Sequence, residues 1–433
     1  MINTESSKII CPQGGDGIDV GLCPQAGVCG GCMYQGVPYE KQLEAKLFEA
    51  RKAVQAAGFD PELVCEIKAC QARFFYRNKM EFTFGNANKG AELELGMHKK
   101  GSFISIVDAS CCQIVPKDFT EILKLTKEFV REKGYEFYSK KFHTGLMRSL
   151  VLRAGIRTGE ILVNIVTAST SRPEGQDVHA SEFRPEGRKM QGAGFDEEDY
   201  LKAVLDAEKD GKFEGKIVGV IHTINDNPSD VVTPEQICVL YGRDYYNEKI
   251  MGLDFKVGAF SFFQTNVDAA ERLYTDALGL IPGIEGKTVY DLYCGTGTIS
   301  QAMALKAKKV IGVEIVEDAV KSARANAELN GLNNCEFIAS DVELALSKIT
   351  EKPDVIVVDP PRSGIMPKAL KQILGYGVKE ILYISCNPKT LAENLRAAAL
   401  CGYKFEKITA YDNFPFTGHI ESVVLLSKIC NSD

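Results

Sequence analysis

The chain has 433 residues, 45% hydrophobic and 25% charged, with 51 Lys and Arg against 58 Asp and Glu, a net charge of −7. At roughly 150 residues per domain, this length implies two or three domains with ample core. The acidic balance excludes a protein held on nucleic acid by bulk positive charge, so any such partner must be gripped by a local basic groove. No apolar run reaches the roughly 18 residues of a membrane span, and the opening MINTESSKII lacks the basic-then-apolar layout of a secretory leader, so a cytoplasmic, membrane-free protein is expected. Fourteen cysteines in such a chain point to metal binding or catalysis rather than disulfides.

Residues 1–40 are rich in Gly, Pro and Cys without helical or strand periodicity, a segment that needs an external staple. An amphipathic helix follows over Tyr39 to Ala57 and stops at Gly58. Alternating runs at Arg77 to Phe84, Leu93 to Met97, Phe103 to Val107, Leu150 to Arg153 and Glu160 to Thr167 predict a β-rich middle, so 41–257 is read as one α+β central domain. Residues 169–216 turn polar and contain RPEG twice, at Arg172 and at Arg184, which reads as a surface insertion closed by the helix DEEDYLKAVLDAEKD. From 258 to 433 strands alternate with helices: Val289 to Leu292, Lys309 to Val313, Glu336 to Ala339, Asp354 to Val358 and Glu380 to Ser385. That rhythm predicts βαβ units and a parallel, doubly wound α/β sheet, closed by an antiparallel pair at Tyr403 to Ala410 and Glu421 to Leu426.

The strand VYDL runs into Tyr293-Cys294-Gly295-Thr296-Gly297-Thr298 and a helix, so glycines let the backbone pass beneath a ligand at the strand's carboxyl end. The next strand ends at Glu314, where a carboxylate can accept both hydroxyls of a ribose, and the third ends near Asp341, placed to receive an adenine amino group. A dinucleotide would call for GxGxxG, and GTGTIS has no third glycine at that spacing. Two later strands end in Asp359-Pro360-Pro361-Arg362-Ser363-Gly364 and in Ser385-Cys386-Asn387-Pro388. Paired prolines stiffen the first loop, and a cysteine between a strand end and a helix start can have its thiolate favoured by the helix dipole. Cys386 is thus a candidate nucleophile.

The strings FFQTN, DLYCGTGTIS, DPPRSG, YISCNPKTLAENL and FPFTGHIES, in this order, resemble the RNA uracil-5 methyltransferases, which make 5-methyluridine. The likeness runs from about Cys23 to Leu426. It implies a Rossmann-like class I methyltransferase domain at 258–433 that binds S-adenosylmethionine through Gln264, Tyr293, Thr298, Glu314, Asp341 and Asp359. It also implies that Cys386 attacks C6 of the uracil and that Glu421 removes the C5 proton, with Asp359 and Gln264 able to hold the uracil edge and Phe263 to stack on the flipped ring. Packing in the core is the competing expectation for Phe262 and Phe263. Two other readings stay open: a cytosine-5 methyltransferase, which also adds a thiol at C6, and a non-catalytic RNA-binding protein that keeps the fold.

Cys23, Cys29 and Cys32 stand as C-x5-C-x2-C in a Gly-rich loop, and Cys112 lies downstream in VDASCCQI beside Cys111. Four thiolates suit a [4Fe-4S] cluster; four-cysteine zinc is the alternative, though C-x5-C is wide for a finger. The resemblance is to an iron-sulfur subgroup of the family, with Cys112 as fourth ligand and Cys11 outside the set. Only 22 residues precede Cys23, so the β-barrel module that opens many relatives is expected to be missing. Basic clusters at Ala72 to Lys79, Met97 to Lys100 and Leu146 to Arg153 are candidate phosphate contacts. The expected partner is RNA, ribosomal before transfer RNA, and the expected state a monomer.

Overall fold

A computed structural model describes residues 21–169, 194–227 and 235–429. Cys11 and both RPEG copies lie outside the described residues. The chain divides into two compact units: the described residues up to Gln35 with Phe74–Tyr246, and Gly36–Arg73 with Asn247 onward.

The first elements, α1 (Tyr39–Ala56) and β1 (Val64–Lys68), belong to the second unit. The expectation that 41–257 forms one domain therefore fails at its start. Periodicity shows that Ala50 and Val54 of α1 face a core, but it does not show which core, and both pack in the cluster built around the C-terminal sheet.

In the first unit, β2 (Lys79–Asn86), β3 (Leu93–His98), β4 (Ile106–Asp108), α2 (Lys117–Glu132), β5 (Met147–Gly155), β6 (Glu160–Thr167), α3 (Glu197–Lys209), β7 (Lys216–Ile224) and β8 (Gln236–Gly242) succeed one another. The strands form one sheet in the order β4-β3-β2-β5-β6-β7-β8. Only β6 and β7 run parallel within it, Glu160 opposite Lys216 and Thr167 opposite Ile224. A parallel pair requires a crossover, and α3 lies on that crossover. Residues 194–216 are thus not a surface excursion: Tyr200 and Val204 are fully buried, and Tyr200 stacks edge-on against Phe129 of α2 at 5.3 Å.

The chain passes to the second unit through β9 (Tyr245–Ile250), which pairs with β10 (Leu253–Gly258). There follow α4 (Val267–Gly279), β11 (Thr288–Leu292), α5 (Thr298–Ala304), β12 (Lys309–Glu314), α6 (Glu317–Leu329), β13 (Cys335–Ala339), α7 (Val342–Lys348), β14 (Val355–Val358), α8 (Pro367–Gly375), β15 (Glu380–Ser385), α9 (Pro388–Leu400), β16 (Tyr403–Lys404), β17 (Ile408–Tyr411) and β18 (Glu421–Lys428). The sheet order is β1-β17-β18-β15-β14-β11-β12-β13, with β16 also on β18. Every pair is parallel except those made by β18, the reversed strand inserted between β15 and β17. Strands covered on both faces are continuously apolar, as the fully buried VIVV of β14 shows. The doubly wound sheet and its antiparallel closure match the expected rhythm. Strand order reverses between β11 and β14, which opens a crevice at their carboxyl ends.

Candidate active site

Beyond β11 the backbone turns sharply through left-handed conformations at Tyr293 (φ 72°), Gly295 (φ 54°) and Gly297 (φ 79°). A non-glycine residue held there costs on the order of 1–3 kcal/mol, a strain typical of ligand clamps. A Cβ on Gly295 would meet open space, whereas one on Gly297 would strike the Phe337 ring at 2.8 Å, so the first glycine leaves room above the loop and the second lets α5 pack close. Glu314 orders the loop: one carboxylate oxygen accepts the Gly295 N–H at 3.1 Å and the other the Val316 N–H at 3.0 Å. Lone pairs remain on both oxygens for ribose hydroxyls. Asp341 caps α7 by accepting the Glu343 N–H at 2.8 Å and stands near the Tyr293 phenol, whose pKa is pushed up to about 12 by burial and then by the Asp341 and Glu343 charges. Thr298 is buried at the start of α5.

Sequence reasoning passed over Asp291, which lies within β11 just ahead of the glycine turn. It is fully buried, one oxygen is held by the Ser300 hydroxyl, and Oδ1 has no protein partner. Burial first, and then the Glu314 charge, raise its carboxyl to about 7. An open glycine turn, an ordered ribose acceptor and an orphaned carboxylate oxygen fit the amine, ribose and adenine of S-adenosylmethionine.

At the neighbouring strand ends stand the candidate reacting groups. Ser385 of β15 pairs with Ser422 of β18, so Cys386 and Glu421 lie one position beyond that pair on adjacent antiparallel strands. Burial raises the Cys386 thiol to about 11, helped by the Glu421 and Asp359 charges and opposed by Arg362. Glu421 is raised to about 8 by burial and by Asp359, again against Arg362, and Asp359 is raised to about 7 by burial and by Asp291. Gln264 donates to the Tyr274 hydroxyl at 2.6 Å, and that buried phenol feels both Asp359 and Glu421, so Gln264 belongs to the same group of side chains. Tyr274 and Arg362 were not legible as site residues, because nothing local in the sequence links them to Cys386.

The proline loop is clamped to the helix that follows the thiol. The Arg362 carbonyl accepts from Asn387 Nδ2 at 3.0 Å, and Asn394 Oδ1 accepts the Ile365 N–H at 3.0 Å. Gly364 (φ 75°) is required there, since a Cβ would lie 2.9 Å from Thr390. Arg362 reaches across to His419 at 2.6 Å. Behind Glu421, α1 grips the 412–417 loop: Lys46 Nζ donates to Asp412 Oδ1 at 2.6 Å and to the Phe414 carbonyl at 3.1 Å, and Gln42 Oε1 accepts the Phe416 N–H at 3.0 Å. Phe416 is itself left-handed (φ 65°).

Three expectations need correction. Phe263 is 4% exposed and packs on Phe255 at 5.7 Å between ring centroids, so it is a core residue. Phe262, 68% exposed, is the ring free to stack. The basic run 146–153 is largely internal: Arg153 is 3% exposed, and Arg148 donates to the Asn225 and Asn227 carbonyls and lies over the Tyr138 ring.

In the first unit the Gly31 N–H points at Cys29 Sγ from 3.3 Å. Burial, and then the nearby Cys32, Cys29 and Cys23, push the Cys112 thiol up to about 12. Burial, and then the nearby Cys23, raise the Cys111 thiol as well. Among the described residues no three His, Cys, Asp or Glu side chains converge on one metal-ion position.

A parallel sheet of this order, with a glycine turn, acidic strand ends and an orphaned carboxylate at its crevice, defines an S-adenosylmethionine-dependent methyltransferase. The profile of the tRNA (uracil-5-)-methyltransferase family matches residues 239–429. An uncharacterized RNA methyltransferase of Clostridium tetani is 45% identical over 406 residues, 94% of this chain and 83% of that protein, and one of Leptospira interrogans is 35% identical over 409 residues, 94% of this chain and 98% of its own. The structure is similar to the crystal structure of Pyrococcus abyssi tRNA (uracil-54, C5)-methyltransferase in complex with S-adenosyl-L-homocysteine, with TM-score 0.70 and 26% identity over 92% of this chain and 84% of that one. The chain belongs to the RNA (uracil-5-)-methyltransferase family and is an RNA methyltransferase that uses S-adenosylmethionine. Among the described residues, no helix is long and apolar enough to cross a membrane.

Proposed function

We propose that the enzyme methylates C5 of a uridine in RNA through a covalent bond between Cys386 and C6. The observation that carries this reading is the pairing of a thiol and a raised carboxyl, Cys386 and Glu421, on adjacent strands beside Asp359. C5 of uracil is too weak a carbon nucleophile to take a methyl group unaided. As the Cys386 Sγ–C6 bond forms, the thiol proton passes to the Asp359 carboxylate, which leaves Glu421 ionised, and the ring electrons move towards O4 as an enolate. S-adenosylmethionine, when bound, supplies an electrophilic methyl group to C5. Glu421 then takes the C5 proton, and the electron pair returns through C5–C6 to expel the thiolate. Glu421 must be ionised to take that proton, and with its carboxyl raised to about 8 the rate of this step is expected to rise with pH up to that value.

Gln264, Tyr293, Thr298, Glu314, Asp341 and Asp359 are the proposed cofactor contacts, joined by Asp291, while Phe262 takes the stacking role first assigned to its neighbour. Cys23, Cys29, Cys32 and Cys112 are the proposed ligands of a [4Fe-4S] cluster. No step of methyl transfer needs an electron, so the cluster would order the 23–32 loop. Ribosomal RNA is the expected target on the resemblance described above. Transfer RNA is the second reading, favoured by the likeness to the Pyrococcus enzyme.

The test is incubation of anaerobically purified enzyme with labelled S-adenosylmethionine and separate unmodified ribosomal and transfer RNA transcripts, digested to nucleosides. Label in 5-methyluridine supports the reaction, and the RNA that carries it chooses the target. Label in 5-methylcytidine would overturn the reading.

A further inference from the structure

An enzyme with net charge −7 needs a local basic surface to hold RNA, and the run at 146–153 is largely internal. The first unit carries one elsewhere, on two hairpin tips. Between β3 and β4, Lys99, Lys100, Phe103 and Ile104 are exposed, Phe103 by 93% and Ile104 by 83%. Large apolar side chains in water at this level are costly unless something covers them in use. The tip is rigid. Lys99 N–H donates to the Ser105 carbonyl at 2.8 Å, and the Ser102 hydroxyl accepts the Ser105 N–H at 3.0 Å. The cysteine loop braces it from behind, since Gly30 N–H donates to the His98 carbonyl and Lys100 N–H to the Val28 carbonyl, each at 2.8 Å.

The second tip joins Tyr138 to Thr144. Ser139 and Thr144 bridge it, Phe142 at its end is 68% exposed, and Lys141 Nζ lies 5.2 Å from the centre of that ring. Both tips extend from strands of one sheet, the first from β3 and β4 and the second from the start of β5, with β2 between β3 and β5. Lys127 and Lys133 of this unit, by contrast, are neutralised by carboxylates, the first by Glu94 and Asp108 and the second by Asp196 and Asp199. Lys99, Lys100 and Lys141 have no ion pair among the described residues.

We propose that these two tips form the RNA-docking surface, with phosphates on Lys99, Lys100 and Lys141 and unstacked bases on Phe103 and Phe142. Lysines interleaved with exposed rings match a looped or single-stranded segment, whose bases have free faces, better than a duplex or an acidic protein. The inference rests on the RNA-methylating assignment, but its readout is binding, which the catalytic reading does not affect.

Two variants of the full-length holoenzyme test it: Phe103→Ala with Phe142→Ala, and Lys99→Ser with Lys100→Ser and Lys141→Ser. Dissociation constants are read by anisotropy on a fluorescent transcript that the wild type methylates, across a salt series, with S-adenosylmethionine binding as the folding control. The ring variant is expected to bind on the order of tenfold more weakly per ring at every salt concentration. The lysine variant should flatten the slope of log affinity against log salt by about 2. Unchanged affinity and slope in both variants, with cofactor binding intact, would overturn the proposal. So would a defect seen only on protein-bearing particles and not on naked RNA, which would assign the tips to a protein partner.

Discussion

Replacing Glu421 with Gln should both trap the reaction and stabilise the fold. Its carboxyl, raised from 4.5 to about 8 mainly by burial, keeps its proton in the folded chain over a range where the unfolded chain has released it. The folded state therefore binds more protons than the unfolded state between those values, and stability falls as pH rises through that window. At about 1.4 kcal/mol per pH unit, the wild type has lost about 3 kcal/mol by pH 7 relative to pH 4.5. A neutral amide at this position carries no such penalty, so the Glu421→Gln variant should melt several degrees higher at pH 7, with the gap closing as pH approaches 4. Differential scanning calorimetry at both pH values reads this directly. Equal melting temperatures at pH 7, or a gap that does not change with pH, would refute a burial-driven shift. In the proposed chemistry the same variant forms the adduct and transfers the methyl group but cannot release it, which leaves a methyl-labelled protein–RNA band on denaturing gels. Loss of activity without that band would remove Glu421 from the proton-abstraction step.

Cys386→Ala should bind S-adenosylmethionine as the wild type does yet give no turnover, checked by calorimetric titration beside a nucleoside assay; residual methylation would exclude it as nucleophile. Lys46→Met should cost about 3–5 kcal/mol because it leaves Asp412 charged and fully buried, and adding Asp412→Leu should recover much of this in chemical denaturation. Phe262→Ala should raise the RNA KM at little cost in stability, whereas Phe263→Ala should cost about 3–5 kcal/mol by emptying a core site. Iron and sulfide analysis should find the cluster retained in Cys111→Ser and lost in Cys112→Ser; the reverse result would reassign the fourth ligand.

Strand and helix rhythm carried most of the second unit, because a sheet buried on both faces leaves apolar runs that nothing else in the chain imitates. The strand-end positions of the candidate site residues were legible for the same reason: the glycine turn and acidic ends sit where such sheets bind ligands. Placement of α1 and β1 was not, since a buried face does not name its partner. Helix α3 was misread because its own polar side and the run before it hid the buried Phe195, Tyr200 and Val204. Choosing between Phe262 and Phe263 needed the position of Phe255, and the link from Arg362 to His419 spans 57 residues, beyond any local pattern.

The reversed direction of β18 has a consequence for how the two reacting groups are tuned. Had β18 run with its neighbours, its final residue would face the crevice; reversed, it offers its first, Glu421, fed by a loop that α1 holds by Gln42 and Lys46. The spacing between the proposed nucleophile and the proposed base is then set by the pitch of a β-ladder, about 5 Å, rather than by side-chain packing. In the proposed reaction C6 and C5 of uracil are adjacent atoms, and two adjacent strands would address one each. Drift in the surrounding loops can alter which RNA is admitted while this spacing stays fixed, so selectivity can diverge among relatives without the chemistry being rebuilt.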